Sequence, residues 1–346
     1  MRIIQVLHSH GFGGAERHAL WLMQGLQEKG HDLIFAGPLD SWLAEQCAQA
    51  GIKTHHLRMS GMYDIFSHLK LRRLVQNWQP DIIHGHLQRG ACYAAAAAKN
   101  IPAICTAHAT TARKHMQGCR HIIAVAEAVR INLLDAGYPE DRITVIHNGV
   151  PDIAGGKREQ LRKELGIPLN AFALFNAGRF IPDKGQDLLI KMMKQLPDIR
   201  LYLAGDETTK FGKQVRQMAA DNKQICFMGY RADIQRLLPA FDLYISSSRR
   251  EAFGLSLAEA FAASLPVLAT AVGGVPEVVQ HNLNGLLVEH ENIEEMAAAV
   301  RLLADDRTKL ADFARQARKT YQNKFNCQTM VNRVETLYKQ QIAETA

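Results

Sequence analysis

Glu251 and Glu259 bracket seven uncharged residues in EAFGLSLAE, within an otherwise small and apolar run. The preceding ISSS reads as a strand end, which puts Glu251 at the carboxyl edge of a parallel sheet, where such sheets bind ligands. A helix is expected to open near Phe253 and Gly254, its free N–H groups favouring an anion. Glu259 then rides on that helix, about 12 Å from Glu251 if every residue rises helically. Two hydroxyl-accepting carboxylates flanking an anion site match a nucleotide-sugar, with ribose at one end, hexose at the other and diphosphate between. Neither acid need donate a proton in this reading.

A diphosphate calls for cations. NAGRFIPDKG supplies Arg179 at another strand end and Lys184 five residues on. Arginine grips a diphosphate with a fork, lysine as a point charge. Taken singly, Glu259 reads as a solvated helix residue, and Arg179 with Lys184 as a surface pair. The functional reading rests on their joint placement at strand ends of one sheet.

The loop HSHGFGGAER follows the first strand and opens a helix. Its glycines allow close backbone approach, and the helix start beyond favours an anion. A dinucleotide fingerprint needs a third glycine where this chain has Glu16, and no acid ends the second strand, so a nicotinamide site is poorly supported. His84 and His86 in DIIHGH share one face of a strand. They read as lining for a cleft, with a metal pair as the alternative. No D-x-D occurs, and Asp305–Asp306 reads as a solvated turn.

These residues need a scaffold, and the hydrophobic pattern supplies one. Apolar strands alternate with amphipathic helices from RIIQVLH (2–8) to RITVIHNGV (142–150), and the pattern restarts at residue 159 and runs to PVLATAV (266–272). Such alternation implies parallel sheets covered on both faces. A chain of 346 residues suits two domains, and the polar stretch 151–159 is the expected join. A last helix from about Gln328 has no strand after it.

Composition narrows the class. With 47% hydrophobic and 22% charged residues the chain reads as an ordinary globular protein. No run of eighteen apolar residues reads as a membrane span, and MRIIQVLHSHGFGGAER lacks a signal-peptide pattern. Six cysteines without a CxxC pair read as buried, reduced thiols of a cytosolic protein. The net charge of +7 leaves nucleic acid or an anionic membrane as partners, and no nucleic-acid module is present. Lys70, Arg72 and Arg73, with Arg113, Lys114 and His115, suit anionic head groups or a phosphorylated glycolipid, with a solvated helix face as the alternative. Thirteen of fifteen histidines fall in residues 1–150, so the halves differ in task.

Several motifs together resemble a family. EAFGLSLAEAFAASLPVLAT with VGGVPEVV and NGLLV, GRFIPDKGQDLLI, GFGGAER and VIHNGVP occur in the order seen in the retaining glycosyltransferases of family 4, over essentially the whole chain. The resemblance implies an α/β chain of the GT-B fold, two Rossmann-like doubly wound domains facing a cleft. Residues 1–152 would form the acceptor-side domain, with the C-terminal helix (about 328–346) packing back on it. Residues 153–327 would bind the donor.

The resemblance also implies roles. Glu259 would accept the ribose hydroxyls, and Glu251 would contact the transferred sugar. Backbone N–H groups around Phe253, Gly254 and Leu255 would touch sugar and diphosphate, which Arg179 and Lys184 would neutralise. Gly13 and Gly14 would let the first domain close, and His108 would lie near sugar and acceptor. GDET (205–208) departs from the family's usual G-D-G-P and puts the base contacts in doubt, leaving Tyr230 and Arg231 as the base wall. The implied activity is retaining transfer of a hexose or N-acetylhexosamine from a UDP-sugar to a cell-envelope glycolipid or polysaccharide, lipopolysaccharide-type first. No cofactor and no metal are expected, and the expected location is the cytoplasm, peripheral on the inner membrane face. A UDP-sugar epimerase of the same fold and a non-catalytic nucleotide-sugar scaffold stay open as alternatives.

Overall fold

The computed structural model describes residues 1–111, 114–153 and 155–345. The chain folds as two compact units, Met1–Val150 with Cys327–Ala346, and Pro151–Asn326.

The first unit holds seven parallel strands: β1 (Arg2–Val6), β2 (Asp32–Gly37), β3 (Lys53–His56), β4 (Ile82–His86), β5 (Ala103–Ala107), β6 (His121–Ala124) and β7 (Ile143–Val145). Their order is β3-β2-β1-β4-β5-β6-β7. Strands β4 and β5 are buried along their length and β1 beyond its exposed Arg2, as strands covered by helices on both faces require. The helix Cys327–Ala343 returns after the second unit. Its Met330, Val331, Val334 and Leu337 join the core formed by β1 and the helix Gly14–Glu28.

The second unit holds six: β8 (Ala173–Ala177), β9 (Arg200–Ala204), β10 (Ile225–Phe227), β11 (Leu243–Ser246), β12 (Val267–Thr270) and β13 (Gly285–Val288), in the order β10-β9-β8-β11-β12-β13. Both sheets are doubly wound, each with one point where strand order reverses. It lies between β1 and β4 in one and between β8 and β11 in the other.

The structure adds strand β13 and the helices Ile293–Asp305 and Arg307–Thr320, which the sequence pattern alone did not delimit. Asp305 and Asp306 are both exposed, as expected, and the Asp306 carboxylate also caps the second of these helices by accepting from the Lys309 N–H. All six cysteines are free, three are buried, and Cys226 is exposed rather than buried as expected. Among the described residues no helix is long and apolar enough to cross a membrane.

Candidate functional site

In the second unit the loops leaving β8 and β11 arise at the point where strand order reverses, so they share one sheet edge. They are joined along their length. Ser247 Oγ donates to the Gly185 carbonyl at 2.7 Å. The Arg249 N–H donates to the Asp183 carbonyl at 2.8 Å. The Arg249 fork donates to both Asp187 oxygens at 2.9 and 2.8 Å, and Arg250 donates to Asp183 at 2.9 Å. At the end of this seam Lys184 Nζ donates to Glu251 Oε2 at 2.5 Å.

Two glycines make the seam possible. Gly185 has φ +66, and a Cβ there would sit 2.0 Å from the Ser247 carbonyl oxygen. Gly273 has φ +52, and a Cβ would sit 1.9 Å from the Glu251 carbonyl oxygen. A side chain at either position is excluded by space and by backbone conformation together. These residues fix the backbone of Lys184 and Glu251 rather than touching a ligand, and the sequence reading passed over both. The positive-φ turn in DKG and the doubled glycine of VGGV were the signals that could have found them.

The helix Leu255–Ala262 begins at Gly254 in a left-handed conformation. The N–H groups of Gly254, Leu255 and Ser256 have no acceptor among the described residues, so the helix presents bare donors and the positive end of its dipole. Phe253 is buried edge-on against Phe325, ring centroids 5.6 Å apart, and anchors the turn. Glu259 is 3% exposed on the same helix, and its Oε1 accepts from Gln235 Nε2 at 2.8 Å. Arg179 is exposed, and its guanidinium makes no hydrogen bond or ion pair among the described residues. Its own carbonyl accepts from Gln186 Nε2 at 3.0 Å, which ties the loop to the following helix. Arg231 differs: its fork is engaged by Asp233 at 2.8 and 2.9 Å. In the departing GDET segment Asp206 closes a local turn by accepting from the N–H and hydroxyl of Thr208.

The edge therefore carries an unpaired arginine, a lysine–carboxylate pair, bare backbone donors and a buried carboxylate. An anion with hydroxyl groups to either side finds complementary groups in that set.

The first unit holds Gly13, Gly14 and His108. Gly13 precedes the helix Gly14–Glu28 in an extended conformation, φ −155, that any residue adopts. Its special feature is proximity: a Cβ would lie 3.0 Å from a Glu16 carboxylate oxygen. His108 follows β5 and belongs to a buried array. His86 Nδ1 lies 3.2 Å from His108 Nε2, and His86 Nε2 donates to Gln5 Oε1 at 2.7 Å. His84 contacts the Tyr338 hydroxyl at 2.6 Å and Thr106 Oγ1 at 2.8 Å. Burial, reinforced by neighbouring histidines, holds His84, His86 and His108 well below the ordinary histidine pKa, so all three are neutral.

His84 and His86 do share a face, but both nitrogens of His84 are occupied, so the two are not a metal pair. Donor atoms of His18, His86 and His108 lie within 4.8 Å of one another. His86 and His108 share a direct hydrogen bond, whereas both ring nitrogens of His18 are buried without a hydrogen-bond partner among the described residues. Lys70, Arg72, Arg73 and Lys114 are exposed, and His115 is half-buried; Arg113 lies outside the described residues.

Comparison with known proteins agrees with this architecture. The family model "Glycosyltransferase Family 4" matches residues 12–152, and "Glycosyl transferases group 1" matches residues 157–320. The lipopolysaccharide core biosynthesis glycosyltransferase LpsE of Rhizobium meliloti (strain 1021) is 26% identical over 320 residues, 89% of this chain and 92% of that one. N-acetyl-alpha-D-glucosaminyl L-malate synthase of Bacillus anthracis is 28% identical over 302 residues, 80% of this chain and 79% of that one. Among solved structures, Anabaena HepE in complex with UDP-glucose superposes with a TM-score of 0.87 at 24% identity, covering 98% of this chain and 100% of that one. The chain belongs to the family 4 glycosyltransferases and has the GT-B fold.

Proposed function

We propose that this glycosyltransferase moves a hexose or N-acetylhexosamine from a UDP-sugar to a lipid-linked envelope glycan of lipopolysaccharide type, with retention at the anomeric carbon. The observation that carries the reading is the β8–β11 edge, where Lys184 and Glu251 are paired beside the bare helix start at Gly254.

Glu259 accepts the ribose hydroxyls and Glu251 a hydroxyl of the transferred sugar. The N–H groups at Gly254 and Leu255, with the backbone of Phe253, take the diphosphate and sugar. Arg179, whose fork is otherwise unpaired, and Lys184, which keeps donors beyond the one given to Glu251, neutralise the leaving diphosphate. That set supplies the charge stabilisation without a metal ion or cofactor. The acceptor hydroxyl attacks the anomeric carbon on the face the diphosphate leaves, the bond to the phosphate oxygen breaks, and that departing oxygen takes the acceptor proton. Gly13 and Gly14 serve the glycine loop, and His108 contacts sugar or acceptor. Arg231 acts on the base side through backbone placement, since its fork belongs to Asp233.

The acceptor class is supported by the name of the relative LpsE and by the helix Ile65–Trp78. Tyr63 and Phe66 are 75% and 81% exposed, with Ile65 and Leu69 beside them and Lys70, Arg72 and Arg73 on the next turn. Exposed apolar residues followed by cations suit the inner face of a cytoplasmic membrane rich in anionic lipid.

A donor panel read by thermal shift tests the donor assignment. The matching UDP-sugar at 100 times its dissociation constant should stabilise the chain by about 2.7 kcal/mol. Release of UDP should then require acceptor. Interconversion of UDP-sugars without acceptor would identify an epimerase, and binding with neither outcome would identify a scaffold.

A further inference from the structure

The buried polar side chains of the first unit form one continuous line. It runs Thr106, His84, Tyr338, Gln5, His86, His108. The links measure 2.8, 2.6, 2.9, 2.7 and 3.2 Å. Gln5 pairs with His84 across β1 and β4, and His86 pairs with Thr106 across β4 and β5, so one sheet face supplies four members. The C-terminal helix supplies Tyr338. All except His108 are 0–1% exposed.

A neutral imidazole has one donor and one acceptor, so a line of neutral histidines has a direction. Gln5 sets it. Its amide N–H donates to the Tyr338 hydroxyl, which leaves that hydroxyl's single proton for His84 Nδ1. His84 must then carry its proton on Nε2 and donate to Thr106. On the other side the Gln5 carbonyl accepts from His86 Nε2, which leaves His86 Nδ1 as an acceptor. His108 must therefore carry its proton on Nε2. Its Nδ1, which makes no hydrogen bond among the described residues, is left as a lone pair. One other arrangement closes the line: Gln5 turned over and every proton reversed, with His108 presenting an N–H instead.

We propose that Gln5 and Tyr338 are positioning residues that fix the tautomer of His108, so that its Nδ1 is held as a hydrogen-bond acceptor for a hydroxyl of sugar or acceptor. The proposal rests on the role given to His108 above. It also gives the returning C-terminal helix a task beyond packing, since Tyr338 lies 333 residues from the glutamine it orients.

Nitrogen-15 spectra of the histidine side chains in the full chain, at neutral pH and without substrate, test this directly. The wild type should show His108 with a protonated Nε2 and a bare Nδ1. Tyr338→Phe keeps the ring and its packing, and Gln5→Met keeps the length of the side chain. In either variant His86 and His108 should become mixtures of tautomers. In transfer assays the same variants should lose about tenfold in kcat, the worth of one misdirected hydrogen bond, with donor KM little changed. A bare Nε2 on His108 in the wild type overturns the proposal. So does an unchanged His108 tautomer in both variants, or a lower melting temperature as their sole defect. Since the spectra need no substrate, a wild type with no transferase activity would sink the functional reading while leaving the hydrogen-bond line open to test.

Discussion

The polar line of the first unit carries no formal charge, whereas the seam of the second is built from ion pairs. In one, Gln5, Tyr338 and neutral histidines pass single hydrogen bonds through a buried interior. In the other, Lys184, Arg249 and Arg250 close on Glu251, Asp187 and Asp183 at a half-exposed edge. On the proposed function, the difference follows from what each would hold. A diphosphate brings charge, which cations and helix N–H groups meet while staying partly solvated. A hydroxyl brings none, so the groups facing it need a defined proton position rather than a field. The two networks should therefore fail under different insults.

Removing charge from the seam should have the largest effect. Lys184→Ala is expected to lower turnover by roughly a thousandfold, the scale of one transition-state charge contact. It also leaves Glu251 without its cation. Arg179→Ala should likewise reduce kcat more than donor binding; equal, small losses in both would count against the leaving-group role.

Acid should separate the units next. Burial lowers the His18 pKa to about 4 from 6.5. Above pH 6.5 neither the folded nor the unfolded chain binds that proton. As pH falls from 6.5 toward 4 the unfolded chain takes it up and the folded chain does not, so stability is lost by about 3 kcal/mol from this residue. His84, His86 and His108 shift in the same direction and add to the loss. In the second unit Arg231, then Arg236, hold Asp233 down to about 2. Burial raises Asp187, but the Arg249 fork outweighs it and leaves that carboxyl lowered as well. Those contributions are present above the ordinary carboxylate value of 3.8 and fall away only below it. Trp21, Trp42 and Trp78 are the chain's three tryptophans and all lie in the first unit. Their emission should report unfolding between pH 6.5 and 4 that the bulk of the circular dichroism signal does not follow. Coincident loss of both signals below pH 4 would contradict the contrast.

Gly185→Ala should do the reverse, destabilising the second unit by about 2 kcal/mol or more through a clash and a strained backbone. The tryptophan transition should hold while the dichroism melt moves down. The smallest effect is expected at the helix Ile65–Trp78. Lys70→Ala should weaken binding to vesicles containing anionic lipid by about 1 kcal/mol, with no change on neutral vesicles.

Much of the frame was legible because strand and helix periods are local. The alternation of apolar runs specified two doubly wound units, and the spacing of His84 and His86 put both on one face. The EAFGLSLAE segment was legible as a strand end followed by a helix for the same reason. What joins these pieces was not. Lys184 and Glu251 are 67 residues apart and meet because β8 and β11 are neighbours across a crossover. Tyr338 reaches Gln5 through a helix that returns after an entire second unit. Strand β13 escaped because GLLV is four residues long after a turn, too short to show a period. Gly13 stood out in sequence yet adopts an ordinary extended backbone, while Gly185 and Gly273, where no side chain fits, were quoted inside motifs without being singled out. Sequence marks where a glycine occurs; the neighbouring carbonyl decides whether it is required.

The central claim is that the edge between Lys184 and Glu259 holds a uridine diphosphate group. Calorimetric titration of the full chain with UDP, beside Glu259→Ala with its fold checked by circular dichroism, tests it most directly. The account predicts one site per chain and a loss of tenfold or more in the variant, about 1.5–3 kcal/mol for a hydrogen bond to a charged group. Equal affinity in the two proteins, or no binding to the wild type, would contradict it.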